Sequence, residues 1–414
     1  MKKKNNNYSP ESLAISGGHD PSTANNSIKP PIYQTSSFKF DTAEEGKAFF
    51  QNLSNDAPLE ERNASLIYTR LNHPNAISAE FKLAQLDGAE DAAFFESGMA
   101  AITTTIFAFC QAGDLILMSS PLYGGTDTFI KKHAIQYGID HIEFQPGATK
   151  EEIKKLVADH PKADRLKMIY LETPANPTLS LTDIEMIKDL RNEILKEAII
   201  AVDNTYMGPT FQKPLALGAD INLYSATKYI GGHSDIIAGA ASGSEKLMKI
   251  VKGKRSILGN TASPFTSWLL SRSMETVGLR MEKQASNAQK LAEFLDSHKN
   301  VKKTYFLGLL KEDDPLYPLF KKQNNSPGAM IAFEVHGSEP EAFKVLNKLE
   351  LAHLAISLGS TETLVSHPFT MSSSNMDEAD RLKNGITPAL IRVSVGLENI
   401  DDLIKDLDQA LNSI

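Results

Sequence analysis

Lys228 lies in a stretch of sequence that does not suit a lysine on a solvated surface. Apolar residues dominate positions 221–224 before it, the hydroxyl residues Ser225 and Thr227 adjoin it, and two glycines follow at 231 and 232. Burial disfavours the ammonium form and lowers the pKa of a lysine, which makes the free amine available for Schiff-base chemistry with an aldehyde. The sequence therefore predicts that Lys228 carries an aldehyde cofactor, with the two hydroxyls placed to bind a phosphate.

Asp203 is a second candidate for chemistry, because it ends the apolar run 198–202 and precedes a polar turn. A carboxylate at the carboxyl end of a strand lies where α/β sheets bind their ligands. Such an acid could keep a pyridinium nitrogen protonated and so turn a pyridoxal ring into an electron sink. The alternative is an aspartate that only caps the loop.

Two more segments could contact the same ligand. Ser97 and Gly98 open a helical pattern, and the N-terminus of a helix binds phosphate well, although a serine there is most often only an N-cap. Asn176 precedes the second of two prolines in residues 172–177, which favours an extended conformation. Its amide either contacts a ligand at the sheet edge of Asp203 or belongs to a rigid loop without such a role.

The elements that position these residues alternate along the chain. We predict helices over 76–86 and from Ser97 to about 111, and strands at 92–95, 115–118, 167–171 and 198–202. Continuous apolar strands suit a mostly parallel sheet that is covered on both faces, and the alternation indicates an α/β architecture. From about residue 260 the pattern changes to helices over 264–294, strands at 330–335, 354–357 and 390–394, and a final helix from about Ile400. We interpret this part as a smaller C-terminal α+β domain, which divides the chain into residues 1–75, 76–265 and 266–414.

Composition narrows the function classes. The chain has 414 residues. Its net charge of −8 argues against nucleic acid or an anionic membrane as a partner. There is neither a secretory signal pattern nor an apolar run of ~20 residues, so we expect a cytoplasmic protein. The single cysteine, Cys110, lies in an apolar helical pattern and is interpreted as a buried structural thiol rather than a reactive one. The histidines lack the paired spacing of a zinc site, so no metal is expected.

Several short motifs together resemble the Cys/Met-metabolism family of pyridoxal-phosphate enzymes, over nearly the whole chain from about residue 12. The resemblance implies pyridoxal 5'-phosphate as cofactor, a small-molecule amino-acid substrate, the aspartate-aminotransferase-like fold type I, and a homotetramer of two active dimers. The motifs that carry it are Tyr68-Thr-Arg70, Ser97-Gly-Met99, Tyr123-Gly-Gly125, Glu172-Thr-Pro-Ala-Asn-Pro177, Val202-Asp-Asn-Thr205, Ser225-Ala-Thr-Lys-Tyr229, Ser357-Leu-Gly359 and Arg392-Val-Ser-Val-Gly396.

The resemblance also implies a role for each matching residue. Lys228 matches the lysine that holds the cofactor aldehyde, Asp203 the partner of the pyridine nitrogen, and Tyr123 the tyrosine on the cofactor ring, which could also protonate the leaving group. Asn176 matches the amide near the phenolic oxygen, Arg392 the arginine that binds the substrate carboxylate, and Ser357 the residue that helps to hold that arginine. Tyr68 and Arg70 match residues of an N-terminal arm that reach the phosphate of the neighbouring subunit. The residues that match the phosphate site are Ser97, Gly98, Met99, Ser225 and Thr227.

Two positions bear on the reaction and point in opposite directions. In family members that handle cystathionine, the residue before Ser357 is typically a glutamate, whereas here it is Ile356, which suits an uncharged thioether tail unless it only faces the core. Methionine γ-lyases typically carry a cysteine where this chain has Gly125, as cystathionine enzymes do. Giving Ile356 more weight, we predict a methionine γ-lyase-like γ-elimination that yields methanethiol, ammonia and 2-oxobutanoate.

Other functions remain open at this point. One is γ-replacement on an activated homoserine ester, as in cystathionine γ-synthase or O-acetylhomoserine sulfhydrylase, and another is the cystathionine γ-lyase reaction. A non-catalytic relative is disfavoured, because it would require the loss of Lys228 or Asp203 and both are present.

Overall fold

A computed structural model describes residues 8–54, 66–374 and 376–414. The N-terminal segment 1–75 therefore lies partly outside the described residues. Within the described part of the chain, none of the helices combines the length and the apolar character that crossing a membrane requires.

The larger sheet has seven strands in the order β1-β7-β6-β5-β4-β2-β3. Every strand runs parallel to the others except β7, which is antiparallel to both of its neighbours. The predicted α/β fold with a mostly parallel sheet is therefore confirmed. The strands are β1 Asp91–Phe95, β2 Leu115–Ser119, β3 Asp140–Phe144, β4 Leu166–Glu172, β5 Ile199–Asp203, β6 Ile221–Tyr224 and β7 Gly239–Gly243.

This sheet is buried on both faces, as the apolar runs predicted. Alternate side chains of β2 enter two different hydrophobic clusters: Ile116 and Met118 pack in one, and Leu115 and Leu117 in the other. Cys110 belongs to the first cluster, and its burial raises the pKa of the thiol to about 12, as expected for an inert structural cysteine.

Helices connect the strands and cover the sheets. In chain order they are α1 Pro10–Ser16, α2 Ala43–Ser54, α3 Pro74–Asp87, α4 Gly98–Phe109, α5 Gly124–Thr128, α6 Lys150–Ala158, α7 Ile184–Ile194, α8 Gly208–Phe211, α9 Pro214–Leu217, α10 Glu245–Leu258, α11 Pro264–Met274, α12 Val277–Ser297, α13 Tyr317–Gln323, α14 Glu339–Asn347, α15 Glu378–Lys383 and α16 Ile400–Leu411. The final helix buries Leu403, Leu407 and Leu411 on one side, as its spacing predicted.

A second, mostly antiparallel sheet of five strands follows, in the order β10-β11-β12-β9-β8. Its strands are β8 Val301–Tyr305, β9 Met330–Val335, β10 His353–Leu354, β11 Leu364–Ser366 and β12 Leu390–Ser394. The strand predicted over 354–357 is wrong at its end, because β10 stops at Leu354. The backbone at Ser357 has a φ of 117°, which no strand residue adopts.

Candidate active site

Three consecutive parallel strands bring the predicted residues to one edge of the larger sheet. Glu172 ends β4 directly opposite Asp203, which ends β5, and Asp203 in turn pairs with Leu223 of β6. The chain leaves β6 at Tyr224 and reaches Lys228 four residues later. Because carboxyl ends of parallel strands share an edge, the sheet topology itself assembles this site.

The amine of Lys228 is mostly buried and makes a specific contact. Its Nζ donates a hydrogen bond of 2.7 Å to the Oγ of Ser357. Burial, reinforced by the positive charge of Arg392, lowers the pKa of Lys228 to about 8. At pH 7 about a tenth of such an amine is neutral, against well under a thousandth of an ordinary lysine. Lys228 is thus prepared to act as a nucleophile or a base.

Ser357 connects this amine to the arginine. Its carbonyl oxygen accepts a hydrogen bond of 2.8 Å from Nη2 of Arg392. The φ of 117° at Ser357 is strained for a residue with a Cβ, and such strain concentrates at functional sites. Packing keeps the loop in place, since a Cβ added at Gly359 would lie 2.7 Å from the backbone nitrogen of Tyr229, next to Lys228.

Arg392 lies in β12 of the second sheet with only 3% of its surface exposed. Its Nη1 donates to Oδ1 of Asn176 at 3.3 Å, so Arg392 connects the second sheet to the loop that follows β4. The bonds to Ser357 and Asn176 use two of the five N–H donors of a guanidinium, which leaves donors for a carboxylate.

Asp203 is buried among neutral donors. Its Oδ1 accepts from the backbone N–H of Thr205 at 3.1 Å and from the Thr205 hydroxyl at 2.5 Å, and the Tyr170 hydroxyl lies 3.5 Å from Oδ2. Burial raises the pKa of Asp203 above its usual range. A buried carboxylate in this setting gains from a cationic partner, and a pyridinium N–H is one that fits.

The residues predicted around a phosphate lie at the N-terminus of α4. A Cβ added at Gly98 would lie 3.0 Å from the Oγ of Ser225, so only a glycine allows this close approach. Ser97 is an N-cap, since its side chain accepts from the N–H of Ala100 at 3.0 Å. The hydroxyl of Thr227 is already engaged with Ala238, whose N–H it accepts at 2.9 Å. Gly98, Ser225 and the N-terminus of α4 are thus the groups that this geometry leaves to bind a phosphate.

Glu172 is a site residue to which the sequence reasoning gave no role. Its Oε2 accepts from the N–H of Tyr123 at 2.7 Å, and its Oε1 from the N–H of Asn176 at 3.0 Å. The signal was present in the sequence, because Glu172 ends an apolar strand just as Asp203 does. Glu172 also begins a proline-rich segment, and the prolines and Asn176 of that segment drew attention away from the acid.

Tyr123 itself begins a short helix at the mouth of the site. Its side chain is 46% exposed. A Cβ added at Gly125 would lie 2.6 Å from Cε1 of Tyr123 and 3.0 Å from Sδ of Met99, so a side chain at 125 would force the tyrosine ring to move.

Tyr68 and Arg70 lie elsewhere on this protomer. Tyr68 forms a bridge with Ser37, and Arg70 donates to the carbonyl oxygen of Ser256. Together with nearby residues they line a surface cavity of about 290 Å³. The contacts that the structure describes for them are outside the Lys228 site, so a role at a neighbouring subunit stays a prediction.

Ile356 is 67% exposed, so the alternative that it faces the core is wrong. It adjoins Ser357, whose side chain and carbonyl contact Lys228 and Arg392. An exposed isoleucine next to these two groups is available to a substrate or to another subunit.

The arrangement around Lys228 and Asp203 fits a pyridoxal-phosphate-dependent enzyme of α/β fold. The chain belongs to the Cys/Met metabolism PLP-dependent enzyme family, whose model matches residues 11–412. Both the predicted resemblance and the predicted cofactor are thereby confirmed.

Relatives and solved structures agree with this membership. The chain is 43% identical over 387 residues to L-methionine gamma-lyase of Porphyromonas gingivalis, covering 93% of this chain and 92% of that protein. It is 36% identical over 415 residues to cystathionine gamma-lyase of Bacillus subtilis, covering the whole of both. The cystathionine gamma synthase of Xanthomonas oryzae pv. oryzae, solved with cystathionine, superimposes with a TM-score of 0.87 at 31% identity and 98% coverage of each chain.

Proposed function

We propose that this enzyme catalyses γ-elimination on L-methionine, which with one water gives methanethiol, ammonia and 2-oxobutanoate. The observation that carries the proposal is the exposed side chain of Ile356 beside Ser357, where an acid would suit the distal ammonium of cystathionine. An isoleucine there offers an apolar wall to a thioether tail. The likeness to proteins described as L-methionine gamma-lyase supports the same substrate.

The residues divide the work of binding and proton transfer. Bound pyridoxal phosphate supplies an electron sink that stabilises negative charge at the substrate α-carbon. Arg392 binds the substrate α-carboxylate with the N–H donors that Ser357 and Asn176 leave available. The amine of Lys228 would take the α-proton, and its lowered pKa suits a base near neutral pH.

Other residues act on the cofactor and the leaving group. With the cofactor bound, the carboxylate of Asp203 would keep the ring nitrogen protonated, and Gly98, Ser225 and the N-terminus of α4 would hold the phosphate, with Met99 and Thr227 beside them. Tyr123 would lie against the ring and protonate the departing thiolate. The residue is 46% exposed, which leaves it accessible to a substrate that enters from solvent.

A second candidate is γ-replacement on an activated homoserine ester, or γ-elimination on cystathionine. Gly125 favours it, because a residue without a side chain adds no thiol near the substrate sulfur, and a Cβ there would lie only 2.6 Å from Cε1 of Tyr123. Elimination and replacement share their early steps and differ in whether the common intermediate is hydrolysed by water or captured by an incoming thiol.

A substrate panel tests the proposal. Methionine, cystathionine, homocysteine, cysteine and acylated homoserines are each assayed with and without an added thiol, by measuring 2-oxobutanoate and the thiol or thioether formed. We expect methionine to give the highest kcat/KM and added thiol to leave most product as 2-oxobutanoate. A tenfold preference for cystathionine, or thioether as the main product, would refute the assignment.

We further propose a homotetramer in the cytoplasm, built from two active dimers in which Tyr68 and Arg70 reach the neighbouring site. The proposed domain boundaries are residues 75 and 265, between an N-terminal arm, a cofactor-binding domain and a C-terminal domain. Sedimentation equilibrium tests the tetramer, and limited proteolysis tests the boundaries.

A further inference from the structure

Glu172 is a buried carboxylate whose two oxygens hold two different loops of the site. Only 6% of the surface of Glu172 is exposed. One oxygen accepts the N–H of Tyr123 at 2.7 Å and the other the N–H of Asn176 at 3.0 Å. A single side chain thus fixes the backbone of two residues for which roles at the cofactor are proposed above.

Glu172 is held by the buried sheet, whereas Tyr123, one of the two residues that it contacts, is much more exposed. The N–H of Glu172 donates to Oγ of Ser119 at 3.1 Å, and Glu172 pairs with Asp203 across two parallel strands. Tyr123, in contrast, is 46% exposed and lies at the N-terminal end of the short helix α5. The bond to Glu172 is therefore a fixed point for the tyrosine.

The chemistry of the two N–H groups explains why an acid is needed. Both oxygens of a carboxyl group can accept a hydrogen bond, so each can face a donor. A glutamine at this position would present an NH₂ group to one of the two N–H donors and leave that donor unsatisfied. Burial and the charge of Asp203 raise the pKa of Glu172 to about 8, whereas the two backbone hydrogen bonds lower it and so favour the charged form.

We propose that Glu172 is a positioning residue of the reaction, which holds Tyr123 over the cofactor and aims the Asn176 amide. The inference rests on the roles proposed above for Tyr123 and Asn176 and does not depend on which sulfur amino acid is the substrate. Misplacing a reacting group by about 1 Å can cost on the order of 100-fold in rate, so loss of this fixed point should be visible in kcat.

Asp406 offers a matched control for a merely structural effect. It too is 6% exposed, and its carboxylate accepts backbone N–H groups from Glu350 at 2.8 Å, Leu351 at 3.0 Å and Ala352 at 2.9 Å. It lies in α16, away from the strand edge that carries the site. Replacing it removes the same kind of interaction without touching the site.

The test compares Glu172→Gln with Asp406→Asn in the holoenzyme. Thermal unfolding, cofactor content, the visible circular dichroism of the bound cofactor, kcat and KM are measured with the best substrate of the wild type. We expect both variants to lose thermal stability. Only Glu172→Gln should alter the circular dichroism and lower kcat by about 10- to 100-fold, with KM changed less than threefold.

Two results would overturn the inference: a Glu172→Gln enzyme with the kcat and circular dichroism of the wild type, or the same losses in Asp406→Asn. If Glu172→Gln does not fold, Glu172→Asp replaces it, and an unchanged kcat there also overturns the proposal. The wild-type substrate panel reports on the proposed reaction separately. A wrong substrate assignment changes which substrate is used and leaves the comparison between variants intact.

Discussion

The Nζ of Lys228 and the Oγ of Ser357 lie 2.7 Å apart, although 129 residues separate them in the chain. The same serine accepts a hydrogen bond from Arg392 through its carbonyl oxygen. One residue of strained backbone therefore sets the position of both the base and the group proposed to bind the substrate carboxylate.

Replacing Ser357 with alanine separates these two functions. The hydroxyl partner of Lys228 is lost, while the carbonyl that holds Arg392 remains. We expect kcat to fall by about tenfold, in line with the loss of one hydrogen bond to a charged group, and KM to stay within about threefold. A KM that rises more than kcat falls, measured by steady-state kinetics, would show that the hydroxyl mainly supports carboxylate binding.

The lowered pKa of Lys228 predicts how the cofactor-free protein captures pyridoxal phosphate. Only the neutral amine reacts, so the loading rate should rise with pH up to about 8 and then level off. An ordinary lysine would keep gaining rate until about 10.4. Stopped-flow absorbance across pH 6–10 measures this, with Nα-acetyl-lysine as the unperturbed control. A rate that still climbs steeply at pH 9.5 would contradict a desolvated amine.

Ile356→Glu tests the residue that carries the substrate assignment. An acid beside Ser357 removes the apolar wall and adds a partner for a distal ammonium. We expect kcat/KM for methionine to drop by about tenfold, a size typical of a lost apolar contact, and the ratio of cystathionine to methionine turnover to rise. Ile356→Leu is the matched control and should change neither value appreciably. If both variants keep the wild-type preference, Ile356 does not select the substrate.

Subunit mixing tests the proposed role of Arg70 at a neighbouring site. Arg70→Ala and Lys228→Ala chains are each expected to be nearly inactive. If Arg70 acts across the dimer, each mixed dimer contains one intact site, and co-expression in equal amounts should restore about a quarter of wild-type activity. Activity that stays at the level of the separate variants would place Arg70 in the site of its own chain.

The sequence predicted most of what depends on local pattern and strand ends. Lys228 and Asp203 stand at the ends of strongly apolar strands, so their shared edge follows from the parallel sheet. The strand β7, Gly239–Gly243, escaped prediction because glycine, alanine and serine have little strand propensity. It contains glycine for a steric reason, since a Cβ at Gly239 would lie 2.0 Å from the carbonyl oxygen of Ser97.

Contacts between distant segments could not be predicted in the same way. The bond between Lys228 and Ser357 joins a loop of the first sheet to a loop of the second, and the φ of 117° at Ser357 rules out the strand conformation that an apolar run suggested there. The two N–H groups held by Glu172 come from loops whose conformation depends on tertiary packing. Such relationships become visible only in the folded chain.

The central claim is that Lys228 is the residue to which the cofactor is attached. Borohydride reduction of the purified holoenzyme, followed by peptide mass spectrometry, tests it most directly. We expect the visible cofactor band to disappear, the reduced pyridoxyl group to be found on Lys228 alone, and Lys228→Ala protein to show neither. A label on a different lysine, or an unchanged band in Lys228→Ala, would contradict it.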